Sequence, residues 1–278
     1  MRIPIRAILL DLSGTLHIAS NPTLNAPQAL QRLRDAQIPL RFCSNTSKES
    51  TESLRGRLTS MGLGPREGEL YTSIGAVKGV LHARGIKRPY VIASETAKQD
   101  VLSDTSENGD ADAPFDGVVV ALAPSELDYA HLNIAFRVLM REHGPQSSSR
   151  ASSAPIPLIA THRARFLEDK DSRLSLGPGP FVAALENATG TTAEVVGKPE
   201  RAFFEATLAG VGEREGRVVI VGDDVQNDLN GGALELGLFR VLVRTGKYRP
   251  GDESKEGLVP PDEVHDSFAT FVDSLFQV

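Results

Sequence analysis

The chain has 278 residues, a formal net charge of −6 and an isoelectric point near 5.6. This length suits one large domain or two smaller ones, and the negative charge excludes nucleic acid as an expected main partner. No run approaches the roughly 18 apolar residues of a membrane span, and the amino terminus lacks the features of a secretion signal. The single cysteine, Cys43, excludes an internal disulfide and suits a reducing compartment. We therefore expect a cytoplasmic protein with no membrane partner.

The first 87 residues alternate apolar runs with helical stretches, a pattern that favours an α/β fold. The first run, residues 6–11, predicts a buried strand that ends on Asp11, before a break at Gly14. Ser47 and Gly62 are predicted to cap the start and the end of the helix at 48–61. The elements predicted after the first strand are a helix at 26–36, a strand at 39–43, a helix at 48–61 and a helix at 73–84.

The middle of the chain has its own alternation of strands and helices. Its predicted elements are strands at 89–93, 115–122 and 157–161 and helices at 128–142 and 177–188. We therefore expect residues 88–192 to form an inserted α/β cap domain. Two stretches poor in apolar side chains, 103–113 and 143–155, predict flexible cap loops.

The last part of the chain is predicted to complete the first domain. Its predicted elements are a strand at 193–197, a helix from 199, a strand at 217–222, a helix at 226–236, a strand at 239–243 and a closing helix from 262. Val264 and Phe268 are among the apolar residues at helical spacing in that closing segment. We predict a Rossmann-like, doubly wound parallel sheet built from residues 1–87 and 193–278.

Polar motifs follow several of these strands. They are Asp11, the run Ser44-Asn45-Thr46, the run Gly197-Lys198-Pro199, and Asp223-Asp224 with Asp228 five residues after Asp223. Ligands and chemistry collect beyond the carboxyl ends of the strands in an open α/β sheet, so Asp11 is a candidate nucleophile.

Each motif also has an ordinary structural explanation. An aspartate before a glycine is common turn chemistry, and Ser-Asn-Thr is a common helix-capping string. Gly-Lys-Pro is typical of loops, and Asp223-Asp224 could be solvated loop residues. Cys43 is interpreted as a buried strand residue, because a thiol nucleophile would need a histidine partner to which the sequence does not point. The joint occurrence of the four motifs in this order favours the functional interpretation.

Taken together, the motifs resemble those of the haloacid dehalogenase superfamily, phosphatases that work through an aspartyl phosphate. The resemblance covers nearly the whole chain and is closest to the class IIA branch, which has an inserted cap of the C2 type. The matching segments are Asp11-Leu-Ser-Gly-Thr-Leu-His17, Asn45-Thr-Ser-Lys-Glu-Ser50, Leu176-Gly-Pro-Gly-Pro-Phe181, Val196-Gly-Lys-Pro-Glu200 and Arg244-Thr-Gly-Lys-Tyr248. The resemblance implies a Mg²⁺-dependent phosphatase that forms a homodimer through the cap.

The resemblance also implies roles for single residues. Asp11 is the nucleophile, and Mg²⁺ is held by Asp11, Asp223 and the backbone carbonyl of Ser13, since Mg²⁺ prefers oxygen ligands. Lys198 balances the charge of the phosphate and the carboxylates, and Asp224 and Asp228 support the site. The residues expected to hold the phosphate, together with Lys198, are Ser44, Asn45 and Thr46.

Ser13 departs from the family pattern, in which a second aspartate protonates the leaving group, a role typically worth ~10²–10⁴ in rate. His17 could replace it as the acid, although a loop or core histidine is the more common case. Two functions follow. The first is a phosphatase acting on a small phosphorylated molecule, a phosphoamino acid or pyrophosphate, whose leaving groups need little protonation. The second is a catalytically weak relative that binds a phosphorylated ligand or a protein partner.

Substrate choice is expected to come from the cap. His162, Arg163 and Arg165 follow a predicted cap strand, where related enzymes carry a loop that faces the active site. The sequence favours substrate contact and ordinary surface charge about equally for these three side chains.

Overall fold

The computed structural model describes residues 4–103, 113–143, 154–168, 173–212 and 215–277. The predicted flexible loops at 103–113 and 143–155 fall almost entirely outside the described residues. In the part of the chain that is described, no helix is both long and apolar enough to cross a membrane.

Strands and helices alternate along the chain. The strands are β1 (Ile5–Asp11), β2 (His17–Ile18), β3 (Asn21–Pro22), β4 (Leu40–Ser44), β5 (Leu70–Thr72), β6 (Pro89–Ile92), β7 (Gly117–Val120), β8 (Leu158–Ala160), β9 (Phe166–Glu168), β10 (Leu174–Leu176), β11 (Glu194–Val195), β12 (Arg217–Gly222), β13 (Phe239–Val243) and β14 (Glu263–His265). The helices are α1 (Ala26–Asp35), α2 (Thr51–Ser60), α3 (Ser73–Arg84), α4 (Glu95–Leu102), α5 (Tyr129–Leu139), α6 (Gly179–Thr189), α7 (Arg201–Leu208), α8 (Gly232–Glu235) and α9 (Phe268–Phe276).

The first compact unit contains a six-stranded sheet in the order β14-β13-β12-β1-β4-β5. It is formed by Met1–Ser44, Glu52–Tyr71 and Lys198–Val278. The pairings of β1 with β12 and β4, and of β13 with β12 and β14, are parallel. Because β1 and its neighbours are almost completely buried, they appear in the sequence as continuous apolar runs rather than alternating ones. The α/β fold predicted from those runs is confirmed.

The second compact unit contains a four-stranded parallel sheet in the order β11-β8-β7-β6. It is formed by Asn45–Thr51 and Thr72–Gly197. Alternate residues of β7 face opposite sides of this sheet, as strand geometry requires. Val118 and Val120 join one apolar cluster with residues of α5 and α6, and Val119 joins another with residues of α3 and α4. The sheet therefore has helices on both faces.

The unit boundaries differ from the expected division into 1–87 with 193–278 and 88–192. Helix α3 belongs to the second unit because Ile74, Val77 and Leu81 pack in the same apolar cluster as Ala97 of α4. Strand β11 belongs to it because Val195 pairs with Ala160 of β8.

Several local predictions were wrong. Ser47 does not cap α2; its hydroxyl accepts a hydrogen bond from the Leu122 N–H at 3.1 Å, and α2 begins at Thr51. The helix predicted at 226–236 is reduced to the four residues of α8. The Asp224 side chain instead accepts the backbone N–H groups of Gln226 and Asn227, where the predicted helix would begin. Val264 lies in strand β14, and the closing helix starts after the Ser267 cap. The capping box formed by Ser267 and Thr270 places the start of α9 at Phe268.

Candidate active site

Asp11 lies at the carboxyl end of β1, in register with Cys43 of β4. The chain turns sharply after it at Gly14, whose φ is +97°. A Cβ atom at position 14 would lie 2.0 Å from Oδ2 of Asp223, so only glycine fits between the two strand ends. The turn thus brings the Asp11 loop directly against the carboxylate that follows β12.

Lys198 connects two of the carboxylates predicted for the site. Its ammonium lies 2.5 Å from Oδ1 of Asp11 and 2.7 Å from Oδ1 of Asp228, and it donates to the carbonyl of Cys43 at 3.0 Å. The Lys198 side chain is 2% exposed, so both ion pairs are shielded from water. Helix α7 begins at Arg201, two residues later than predicted, and leaves Lys198 in the preceding turn.

Three buried carboxylates form a cluster suited to a cation. One ligand oxygen each from Asp11, Asp223 and Asp228 lies within 4.8 Å of the others. Oδ2 of Asp11 is buried and has no hydrogen-bond partner among the described residues. A buried carboxylate oxygen without a partner is costly, and a bound cation would satisfy it.

Asp224 and Asp228 have different local partners. Oδ1 of Asp224 accepts the backbone N–H groups of Gln226 and Asn227, and Oδ2 accepts from the Asn227 side chain at 2.7 Å. Asp228 accepts the Asp224 N–H through Oδ2 at 3.2 Å while its Oδ1 pairs with Lys198. Asp224 therefore organises the loop, whereas Asp228 contacts the charged centre.

The buried charges shift one another's pKa values. Burial, and then the charges of Asp11 and Asp228, raise the pKa of Asp223 well above its usual value. Burial, followed by the charge of Asp11, raises the pKa of Asp228 to about 6. Burial lowers the pKa of the Lys198 ammonium, but its ion pairs with Asp11 and Asp228 outweigh that effect and raise it overall. The centre therefore has more negative charge than its lysine can balance.

The remaining residues predicted near Asp11 have varied surroundings. Ser44 is buried at the end of β4, whereas Asn45 and Thr46 are half-buried and fall in the second unit. Ser13 is exposed and forms an isolated bridge with His17. His17 is buried, and its Nδ1 donates to the Ala19 carbonyl at 3.0 Å. This bond favours the local structural interpretation of His17.

The predicted specificity residues lie in one turn of the second unit. His162 is buried and its Nδ1 accepts the Ala164 N–H, while Arg163 and Arg165 are exposed. Arg163 forms an ion pair with Glu186 of α6. Ala164 and its neighbours pack against the Gly177-Pro-Gly179 segment, where a Cβ at Gly177 would lie 2.2 Å from the Ala164 carbonyl oxygen. The glycines of that motif are therefore required by close packing.

Sequence reasoning missed two groups at this centre. One is the Cys43 carbonyl, which accepts a hydrogen bond from Lys198. Burial raises the pKa of the Cys43 thiol to about 12, which agrees with its interpretation as an unreactive strand residue. The other is Lys247, whose backbone N–H donates to Oδ2 of Asp223 at 2.6 Å and whose ammonium lies 3.2 Å from Asp224. The Arg244-Thr-Gly-Lys-Tyr248 motif follows a parallel strand, and that position could have indicated its place in the site.

Comparison with known proteins agrees with this geometry. The family model "Haloacid dehalogenase-like hydrolase" matches residues 8–104, and the model "HAD-hydrolase-like" matches residues 195–271. Human haloacid dehalogenase-like hydrolase domain-containing protein 2 is 41% identical over 273 residues, covering 98% of this chain and 96% of its own length. The chain belongs to the haloacid dehalogenase-like hydrolase family. The two family matches together include Asp11, Ser44, Lys198, Asp223 and Lys247.

Two further similar proteins have more specific descriptions. Human phospholysine phosphohistidine inorganic pyrophosphate phosphatase is 33% identical over 277 residues, covering 98% of this chain and 95% of its own. A glycerol phosphate phosphatase from Mycobacterium tuberculosis, solved in complex with magnesium, has the same fold with a TM-score of 0.76. That similarity covers 95% of this chain and 75% of the other at 23% identity.

Proposed function

We propose that the protein is a Mg²⁺-dependent phosphatase that forms an aspartyl phosphate on Asp11. The observation that carries this proposal is the buried carboxylate of Asp11, with one oxygen on Lys198 and the other unpartnered within the described chain. The same carboxylate belongs to the cluster with Asp223 and Asp228. Such a carboxylate is held in place and has an oxygen available for phosphorus or for a cation.

The residues at the centre fit a divalent cation. Asp11, Asp223, Asp224 and Asp228 supply four carboxylates, and Lys198 and Lys247 supply two ammonium groups. The charge left over matches that of one Mg²⁺, which prefers carboxylate and carbonyl oxygens. Asp11, Asp223 and the carbonyl of Ser13 would hold the ion, with Asp224 and Asp228 in support. When bound, it supplies the positive charge that lets an anionic nucleophile approach a phosphate.

The chain's own groups account for the transfer. A carboxylate oxygen of Asp11 attacks phosphorus, and the bond from phosphorus to the leaving group breaks. The Lys198 ammonium balances charge on the transferred phosphoryl group, and Ser44, Asn45 and Thr46 bind its oxygens. Water then hydrolyses the aspartyl phosphate, which restores Asp11 and releases phosphate. Ser13 is a weak proton donor, so substrates with good leaving groups are favoured: phosphoamino acids, pyrophosphate and activated phosphate esters.

A direct assay tests this function. Purified protein is incubated with p-nitrophenyl phosphate, pyrophosphate or phosphohistidine, with Mg²⁺ or with EDTA, and phosphate release is measured. We expect release from at least one substrate with Mg²⁺ and none with EDTA. Equal release in EDTA would contradict the metal requirement, and no release from any substrate would contradict the phosphatase.

A second function is favoured by the position of Ser13. The turn that would carry a general acid presents an exposed hydroxyl, and His17 beside it is engaged by the Ala19 carbonyl. A protein with this turn could bind a phosphorylated ligand or protein partner with little turnover. Saturable binding of a phosphorylated compound without phosphate release would favour this alternative.

Introducing an acid at position 13 distinguishes the two functions. Ser13→Asp is expected to raise hydrolysis of an alkyl phosphate by about tenfold or more, equivalent to ~1.4 kcal/mol of transition-state stabilisation. The rate on p-nitrophenyl phosphate is expected to change much less, because nitrophenolate leaves without a proton. Ser13→Asn is the matched control, with the same shape and no acid. Equal effects of both variants would contradict the general-acid argument.

Mg²⁺ affinity is expected to fall as the pH falls. The pKa of Asp228 is raised to about 6 and that of Asp223 is raised well above its usual value. Protons therefore compete with the cation, and the loss of affinity is expected as the pH falls through about 6, the raised pKa of Asp228. Calorimetry in two buffers of different ionisation enthalpy measures both the affinity and the protons released. A pH-independent affinity with no proton release would contradict the assignment.

We further propose a cytoplasmic homodimer formed through the second unit. Its support is the face that β9 and β10 present together, where Phe166 is 51% exposed and Leu174 and Leu176 are each 62% exposed. An exposed apolar face of this kind is typical of an association surface. Sedimentation of the full chain and of Leu174→Asp tests the dimer. We expect the wild type to sediment as a dimer and Leu174→Asp as a monomer, and a monomeric wild type would contradict the proposal.

We also propose, as the sequence suggested, that His162, Arg163 and Arg165 contact the substrate.

A further inference from the structure

The segment Thr245–Lys247 follows β13 and contacts both the turn after Asp11 and the Asp223 carboxylate. The Thr245 hydroxyl donates to the Gly14 carbonyl at 2.5 Å. Two residues later, the Lys247 N–H donates to Oδ2 of Asp223 at 2.6 Å. One short loop therefore binds the turn after Asp11 and the carboxylate after β12 at the same time.

These two bonds limit what each partner can do. The bond from Lys247 to Oδ2 of Asp223 holds that carboxylate in one orientation, and Oδ1 lies outside this bond. Both peptide groups that flank the Gly14 Cα are held, because the Gly14 N–H donates to the His17 carbonyl at 2.8 Å and the Gly14 C=O accepts from Thr245. A trans peptide points its C=O opposite to its N–H, so the bond to His17 also fixes the direction of the Ser13 carbonyl. The loop therefore holds Asp223 directly, and it holds Gly14, the residue that follows the Ser13 carbonyl.

Gly246 makes this contact possible. Its φ is +55°, and a Cβ there would lie 2.2 Å from Oδ2 of Asp223 and 2.4 Å from the Cα of Gly14. Neither neighbour is the free end of a flexible side chain, since Asp223 is held by Lys247 and Gly14 is backbone. Any side chain at position 246 would push the two strand ends apart.

We propose that Thr245, Gly246 and Lys247 form a positioning loop that holds the Asp11 turn and Asp223 at the spacing needed to bind the divalent cation. This inference rests on the proposed Mg²⁺ site and adds residues that bind neither cation nor substrate. They act through Gly14 and Asp223. Their effect should therefore be seen first in Mg²⁺ affinity, in the absence of any substrate.

The first test removes the Thr245 hydroxyl. Thr245→Val keeps the shape of the side chain but leaves the Gly14 carbonyl without this donor, so we expect Mg²⁺ affinity, measured by calorimetry on the full chain, to fall about fivefold or more. Thr245→Ser keeps the hydroxyl and is expected to bind as the wild type does. Raising the Mg²⁺ concentration should restore kcat in Thr245→Val, because the nucleophile itself is unchanged.

The second test adds a methyl group at Gly246, with a matched glycine as control. Gly237 also has a left-handed backbone, with φ +65°, but a Cβ there meets nothing within 4 Å. Gly246→Ala and Gly237→Ala therefore share the backbone strain, and only the former displaces Asp223 and Gly14. We expect Mg²⁺ affinity to fall at least about tenfold in Gly246→Ala and to stay within about twofold in Gly237→Ala. Circular dichroism and thermal unfolding in EDTA identify a variant that fails to fold.

The outcomes separate this inference from the proposed function. The positioning loop is supported if the wild type binds Mg²⁺ and Thr245→Val binds it more weakly, while Thr245→Ser and Gly237→Ala bind as the wild type does. This holds even if Gly246→Ala does not fold. Unchanged affinity in Thr245→Val, or an equal loss in Gly237→Ala and Gly246→Ala, overturns the loop and leaves the phosphatase standing. No Mg²⁺ binding by the wild type overturns both.

Discussion

Asp11→Asn is expected to reduce turnover by about 10⁴-fold or more while the protein stays folded. The neutral amide cannot attack phosphorus, and it is a poorer ligand for Mg²⁺ than a carboxylate. Its oxygen can still accept from Lys198, and loss of the Asp11 charge removes one of the causes that raise the pKa values of Asp223 and Asp228. The free energy of unfolding, measured by thermal unfolding in EDTA, is therefore expected to change by no more than about 1 kcal/mol.

Asp11→Glu is the control that separates charge from position. It keeps the negative charge and displaces the carboxylate by one methylene group, a misplacement that costs roughly 10² or more in rate. We expect Mg²⁺ binding to survive in part and turnover to be lost. Near-wild-type turnover by a folded Asp11→Asn protein would contradict the mechanism, whatever the glutamate variant does.

Asp223→Ala is expected to remove Mg²⁺ binding and turnover together. Asp223 is 1% exposed and contributes one of the three clustered carboxylates, so its loss takes away a proposed direct ligand. Changes to groups that only support a metal ligand cost 10–100-fold in affinity, so removing the ligand should cost at least about 10²-fold. Calorimetry with Mg²⁺ and the p-nitrophenyl phosphate assay give the two values.

The adjacent residue provides a matched control for that experiment. Oxygens of Asp224 bind two backbone N–H groups, the Asn227 side chain and the Lys247 ammonium. Asp224→Asn is therefore expected to lower thermal stability and to cost about tenfold in Mg²⁺ affinity, less than the loss in Asp223→Ala. The reverse pattern, with affinity lost in Asp224→Asn and kept in Asp223→Ala, would show that the metal ligand is Asp224.

The strands of the first sheet were predictable because burial on both faces leaves continuous apolar runs. β1, β4, β12 and β13 lie within one or two residues of their predicted positions. Parallel strands end at the same edge, and this rule anticipated that polar groups following different strands meet. The structure brings together Asp11, Lys198, Asp223 and Asp228.

Features built from backbone bonds could not be predicted in the same way. The contact from Lys247 to Asp223 uses a backbone N–H, which any residue except proline supplies, so no side-chain pattern marks it. Strand β14 has only three residues, all half-buried, and Val264 within it also fits the helical spacing of the next segment. The unit boundary at β11 depends on a pairing with β8 from a distant part of the sequence.

Trapping the phosphorylated enzyme tests the proposed mechanism most directly. The wild type is mixed with p-nitrophenyl phosphate and Mg²⁺, quenched rapidly in acid, digested and examined by mass spectrometry. We predict one added phosphoryl group on the peptide that contains Asp11, absent when EDTA replaces Mg²⁺ and absent in Asp11→Asn. Phosphate release by the wild type with no phosphorylated Asp11 at any quench time, or with the phosphoryl group on another residue, would contradict the mechanism.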